Sequence, residues 1–149
     1  MESRVFITSY AYAQLVRVCR AAWPHEACGV LSAPRAPHHE SIGPTDGVHP
    51  VPNASDRPEA RFAFEAESWI ETFYRITNNR QMIAGFYHSH PNGSPLPSGS
   101  DAAGWPGLPG AAYWIVSFSV RDRAQVKAYL PRQDASGALV FTQVSVQIT

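Results

Sequence analysis

The sequence predicts an α/β domain in which a mixed, mainly antiparallel sheet is flanked by two main helices. Two segments, 9–22 and 66–78, carry apolar residues at helical spacing. Apolar runs of strand length recur at 5–8, 28–32, 82–88, 112–120, 124–131 and 138–148. Turn formers gather in 33–60 and in NGSPLPSGS, 92–100. No internal repeat or boundary interrupts the chain, and 149 residues suffice for one domain, 1–149, with a substantial core.

Taken in order, VFIT at 5–8 reads as a strand. Ser9 can cap a helix through Ala22 whose apolar face includes Leu15, Val16, Val18 and Cys19. CGVLS, 28–32, is a second strand. Many of the 13 prolines fall in 33–60, so this stretch is expected to be mostly exposed loop. Within it, VHPVPN, 48–53, suits an edge strand, where proline is tolerated. RFAF, 61–64, is extended or leads into a helix. Residues 66–78 place Trp69, Ile70, Phe73, Tyr74 and Ile76 on one broad side, read as core. A strand at 82–88, one at 112–120, a strand or hairpin at 124–131 and a partly alternating strand at 138–148 complete the chain.

The chemistry concentrates in HSHPNGSPLPSGSD, 88–101. The apolar run MIAGFY leads straight into His88, and residues i and i+2 of an extended segment face one side. His88 and His90 can therefore face one ion. Pro91 stops regular pairing, the turn formers loop the chain away, and Asp101 returns as a third ligand that also opens a short turn, DAAGW. Two imidazoles and a carboxylate leave one position open for water, the arrangement of a catalytic zinc rather than a closed structural site. The other histidines, His25, His38, His39 and His49, sit among prolines and polar residues and are expected to be exposed. A proton acceptor is available in Glu26, at the entrance of the buried 28–31 strand, where poor solvation raises a carboxyl pKa.

These residues resemble the JAMM (MPN-plus, JAB1/Mov34-type) metalloprotease domain. The family's His-X-His-Pro, Ser, Asp signature is matched by His88, His90, Pro91, Ser98 and Asp101, with no departure in spacing. Its upstream motif, P-x-E-x-C-G-x-L, is matched by Pro24, Glu26, Cys28, Gly29 and Leu31. The segment 51–64, VPNASDRPEARFAF, is similar to the Asn-containing stretch and Arg-Phe strand of small bacterial members. The resemblance implies a cytidine deaminase-like JAMM fold. It implies Zn2+ on His88, His90 and Asp101, Glu26 as proton carrier and Ser98 as oxyanion donor. It makes Asn53 and Trp105 candidate substrate-binding residues. Trp105, Tyr87 and the 92–97 loop are candidates to line a groove for a narrow, extended Gly-Gly tail.

The implied activity is hydrolysis of a peptide or isopeptide bond at the tail of a ubiquitin-like or sulfur-carrier protein. Two other readings compete. One is a non-catalytic MPN-type scaffold, although such scaffolds usually lack ligands that this chain keeps. The other is the DNA-repair-associated branch, which expects a helix-hairpin-helix region ahead of Glu26, where there is no room for one. Balanced charge, 12 basic against 12 acidic side chains, argues against nucleic acid as the main partner. The absence of a membrane-length apolar run and of a signal-peptide pattern gives the cytoplasm as the expected location. Cys19 and Cys28 are expected to be buried, reduced thiols. Edge strands near 48–53 or at the C-terminus offer a route to a homodimer.

Overall fold

A computed structural model describes residues 3–35, 43–99, 101, 106–120 and 123–149. Its elements are β1 (Arg4–Ile7), α1 (Ser9–Ala22), β2 (Cys28–Pro34), β3 (Gly47–Val51), α2 (Ala66–Asn78), β4 (Gln81–His90), β5 (Ala112–Val120), β6 (Arg123–Gln133) and β7 (Leu139–Ile148). The strands form one seven-stranded sheet in the order β1-β7-β6-β5-β4-β2-β3. The pairs β1–β7 and β4–β5 are parallel and the other four antiparallel, giving the mixed sheet that the sequence predicts. The sheet curls. Thr45, just before β3, bridges back to Ile7 of β1; its N–H donates to Phe6 O and its carbonyl accepts from Thr8 N, both at 2.9 Å.

The parallel β4–β5 pair sets up the site. Parallel neighbours cannot be joined by a tight hairpin and require a crossover. Here residues 91–111 make it, so topology itself places a long loop at the C-terminal end of β4, beside the two histidines.

The helices cover opposite faces. On α1 the buried positions are Ala11, Leu15 and Cys19, an i, i+4, i+8 stripe. That stripe shares a core with Ile7, Leu31, Tyr87 and Trp114. On the other face, Ile76 of α2 packs in a second core with Val30, Phe86, Tyr113 and Ile115. Strands β4 and β5 contribute four of the largest fully buried side chains, Trp114, Tyr87, Tyr113 and Phe86. Each stabilises the fold by roughly 1.5–3 kcal/mol through removal from water. These central strands read as continuous apolar runs because both their faces are covered.

Several expectations change. The N-cap of α1 is Thr8, whose hydroxyl accepts from Ala11 N at 3.1 Å, and Ser9 is the first helical residue. On α2 only part of the aromatic side is core. Thr72 and Ile76 are buried, while Ile70 and Tyr74 are 53% and 59% exposed, on the neighbouring solvent stripe. Its N-cap is Glu65, which accepts from Glu67 N and Ser68 N. Residues 61–64 are extended and lead into α2, as the sequence allows, with Phe64 in an antiparallel bridge to Asn53. The edge strands are β1 and β3, 47–51, while the C-terminal β7 lies inside the sheet between β1 and β6 and offers no edge; β3 carries His49, which is therefore not an exposed loop residue. The region after β5 is a full hairpin, β6 and β7, closed at Asp134–Gly137, with Gly137 at φ 84. Both cysteines are buried and unpaired, as expected. Among the described residues, no helix is long and apolar enough to cross a membrane.

Candidate metal centre and its carboxylate

His88 and His90 are the last ligand-bearing positions of β4, both within the strand, and their Nε2 atoms meet at 2.8 Å. Asp101 arrives from the crossover. Its Oδ1 lies 3.1 Å from His88 Nε2 and its Oδ2 lies 3.2 Å from His90 Nε2. Within the described residues these three form the group able to hold a metal ion, with one donor atom from each inside a 4.8 Å span.

The crossover is pinned at three successive carbonyls. Gly93 O accepts from Ser117 Oγ, Ser94 O lies 2.6 Å from His90 Nδ1, and Pro95 O accepts from Tyr129 OH at 2.5 Å. A closing turn follows. Ser98 N donates to Asp101 Oδ2 at 2.7 Å, and Asp101 N donates to Ser98 O at 3.1 Å. The loop full of turn formers is thus fixed where it delivers Asp101.

These contacts decide which nitrogens face the ion. A carbonyl oxygen can only accept, so His90 Nδ1 carries the proton toward Ser94. Whenever His90 is neutral, its Nε2 lone pair therefore faces a carboxylate oxygen and the other imidazole. Lone pairs converging in a largely buried site repel unless a proton or cation sits between them, so the donor set fits a cation. His88 is oriented from behind by Tyr113, whose hydroxyl lies 2.8 Å from its Nδ1. Its ring is sandwiched between Phe62, 4.5 Å away at 23°, and Tyr113, 5.1 Å away at 22°. Burial by itself would raise the Asp101 carboxyl, but hydrogen bonds with His88 and His90 hold it well below the usual carboxylate range. Burial lowers His88.

Glu26 reaches the same place from the segment just ahead of β2. The β2–β4 ladder ends at the Cys28–His88 pair, with Ser89 N donating to Ala27 O beyond it, and Glu26 lies near enough for its carboxyl to feel His90 and Asp101. It is 6% exposed, and its Oε1 is buried with no hydrogen-bond partner among the described residues. Burial pushes its carboxyl up to about 7, a charged His90 opposes the rise and Asp101 adds to it. The strand entrance has the poor solvation expected of it.

The remaining predicted residues fare differently. Ser98 stands exposed at the turn before Asp101. Tyr87 is only 1% exposed and belongs to the α1-side core, on the face opposite His88, so it cannot line a groove at the metal cluster. Leu96 of the 92–97 loop is exposed. Trp105, His38 and His39 lie outside the described residues. Asn53 turns its side chain inward to five backbone groups instead of outward to solvent. Sequence reasoning missed Tyr113, Phe62 and Ser89 as supports of the site. Only strand alternation hints at Tyr113, which shares the sheet face of His88.

A second serine–histidine contact is not a nucleophile. Ser32 Oγ lies 2.8 Å from His49 Nε2, and Arg75 Nη2 lies 3.4 Å from His49 Nδ1. The guanidinium only donates, so Nδ1 accepts and the proton on Nε2 points at the serine. The imidazole therefore cannot take the hydroxyl proton.

Residues 8–129 match the family described as prokaryotic homologs of the JAB domain. A desampylase from Haloferax volcanii is 33% identical over 86 residues, covering 56% of this chain and 58% of that protein. The match therefore spans little more than half of that relative's length. A solved protein from Desulfitobacterium hafniense superposes with a TM-score of 0.75 at 21% identity, covering 97% of this chain and 92% of the other. A JAB1/MPN domain protein from Archaeoglobus fulgidus gives 0.60 at 18% identity, covering 99% of each chain. Sharing this fold and matching the family over most of its length, the chain belongs to the prokaryotic JAB/MPN (JAMM) family.

Proposed function

We propose that the protein is a metal-dependent hydrolase that cleaves a peptide or isopeptide bond at the C-terminal tail of a ubiquitin-like or sulfur-carrier protein. The observation that carries this reading is the convergence of His88, His90 and Asp101 beside a buried Glu26 whose Oε1 has no hydrogen-bond partner among the described residues and whose carboxyl feels both His90 and Asp101. The two imidazoles and one carboxylate suit Zn2+, which when bound supplies Lewis-acid polarisation of a carbonyl and a more acidic water. Glu26 takes the proton of the attacking water and returns it to the leaving amine. Its raised pKa suits both halves of that task. Ser98 donates to the oxyanion of the tetrahedral intermediate. Tyr113 and the Ser94 carbonyl keep the imidazoles aimed, and Phe62 limits water access to His88.

The substrate class rests on the match to the prokaryotic JAB family and on the relative named a desampylase. A Gly-Gly tail, narrow and able to run extended, suits the approach to a cluster at the end of a strand. Trp105 remains a candidate for the wall of that approach. Full retention of the ligand set and of Glu26 disfavours a non-catalytic scaffold.

The test is mass spectrometry of two substrates incubated with the zinc-loaded protein. One is a sulfur carrier bearing a C-terminal cysteine and the other a ubiquitin-like protein in isopeptide linkage to a lysine peptide. Cleavage of either after its terminal glycine supports the reading and chooses the leaving group. Intact substrates in both arms, with zinc bound, contradict it.

A further inference from the structure

The 53–63 segment closes around one side-chain amide. Asn53 Nδ2 donates to Glu26 O at 3.0 Å and to Arg61 O at 2.9 Å, with Pro58 O at 3.5 Å. Its Oδ1 accepts from Ser55 N at 3.0 Å and from Ala63 N at 3.1 Å. An Asn side chain offers two donors and two acceptor sites, and these partners fill all four. No capacity is left for a substrate.

The gathered segment makes two contacts with the site. Pro58 O accepts from Glu26 N at 2.6 Å, and the Phe62 ring stacks on His88. The Glu26 residue is consequently held at its N–H by Pro58 and at its C=O by Asn53. Its side chain has no equivalent restraint at Oε1, which is buried without a hydrogen-bond partner among the described residues. The two backbone bonds therefore fix where the Glu26 side chain starts toward the cluster. On the other side, the metal ligands are held by separate supports: Tyr113, the Ser94 carbonyl and the Ser98 turn. Apart from the Phe62 stack on His88, carboxylate and metal cluster are thus aimed by different parts of the structure.

We propose that Asn53 is a positioning residue for Glu26. Its amide holds the backbone that aims the carboxylate at the His88–His90–Asp101 cluster, and it acts without touching substrate. The inference rests on the reading of Glu26 as the proton carrier. Its chemistry requires an amide. Aspartate has nearly the same shape but lacks both donors, so it would keep Ser55 N and Ala63 N and lose Glu26 O and Arg61 O.

Asn53→Asp and Asn53→Ala test it, measured as zinc-loaded proteins beside wild type. The expected result is a kcat lower by on the order of ten- to a hundredfold, because small misplacements of a reacting group cost that much. KM should stay within about twofold and zinc should remain at one equivalent per chain, since the ligands have their own supports. Backbone hydrogen exchange supplies a readout independent of turnover. Exchange at the Glu26 amide should quicken by more than about tenfold in both variants, and at the Ala63 amide in Asn53→Ala, while the His88 and Ser89 amides stay protected. Asn53→Gln, which keeps both donors, should recover part of the lost kcat.

An unchanged kcat, a loss confined to KM, or loss of zinc in step with activity would overturn the proposal. So would a uniform rise in exchange across the sheet, which marks a merely structural residue. If Asn53→Asp does not fold, Asn53→Ala carries the same readouts. Wild type that cleaves neither substrate defeats the functional reading, whereas the exchange pattern at Glu26 still reports whether Asn53 holds it.

Discussion

Ser89, the residue between the two histidines, exchanges two hydrogen bonds with Ala27, the residue after Glu26. Its N–H donates to Ala27 O at 2.9 Å, and its hydroxyl accepts from Ala27 N at 2.8 Å. The strand that carries the metal ligands is thereby fastened to the segment that carries the carboxylate. Ser89 is buried, so water does not replace the hydroxyl as acceptor for Ala27 N, while the backbone bond to Ala27 O persists. Ser89→Ala should leave Ala27 N unsatisfied and cost about 1–3 kcal/mol. Chemical denaturation of the metal-free protein measures it, and an unchanged unfolding midpoint would show that the hydroxyl is dispensable.

Tyr113 makes a prediction on metal affinity. Its hydroxyl fixes His88 through Nδ1, and outer partners of this kind typically contribute about ten- to a hundredfold in affinity. Tyr113→Phe keeps the ring stack on His88 while removing that contact. Zinc competition with a chromogenic chelator should show weaker binding in this range. Equal affinity would mean that packing alone orients His88.

Gly29 makes a prediction on packing. A Cβ there would stand 2.4 Å from the His49 carbonyl oxygen and 2.4 Å from Tyr87 Oη. The carbonyl belongs to the paired β3 backbone and cannot swing away. Gly29→Ala should cost roughly 1–3 kcal/mol, the ordinary scale of overpacking, as read by thermal unfolding. A melting temperature equal to wild type would show that β2 and β3 can part without cost.

The pH dependence of the metal-free fold follows from Glu26. Its carboxyl is raised from 4.5 to about 7, chiefly by burial, so the folded chain holds that proton more tightly than the unfolded chain. The resulting stabilisation is complete below the unfolded pKa and is lost as pH rises through the folded one. The melting temperature of metal-free protein should therefore decline between about pH 5 and 8, and Glu26→Gln should flatten that decline. An identical slope in the variant would place the titration elsewhere.

The parts of this molecule legible in its sequence are those whose cause is local or periodic. Leu15 and Cys19 of the α1 stripe follow from helical spacing, which does not single out Ala11. The adjacency of His88 and His90 follows from strand alternation, and Glu26 follows from its place at a buried strand's mouth. What escaped notice depends on contacts across the sheet. The hydroxyl of Tyr113 meets His88 only because β4 and β5 run parallel, and that pairing is set by a crossover loop rather than by any short motif. Tyr87 looked like a groove residue because it neighbours His88 in sequence, yet adjacent residues in a strand face opposite sides. Ile70 and Tyr74 looked like core because the helix is broadly apolar, but the sheet covers only the stripe through Thr72 and Ile76. Asn53 was a candidate binding residue on the resemblance of its segment alone, and no motif shows that the loop folds around its amide.

The most direct measurement is a zinc titration of metal-free protein, following release of a leaving amine from a ubiquitin-like C-terminal conjugate, with Glu26→Gln in parallel. Turnover of wild type should appear with the first equivalent of zinc and stop rising there. Glu26→Gln should bind the same equivalent and release at least about a hundredfold less, the scale of a lost general base. Turnover without metal, or a Glu26→Gln protein as active as wild type, would contradict the joint assignment of His88, His90, Asp101 and Glu26 to one reaction.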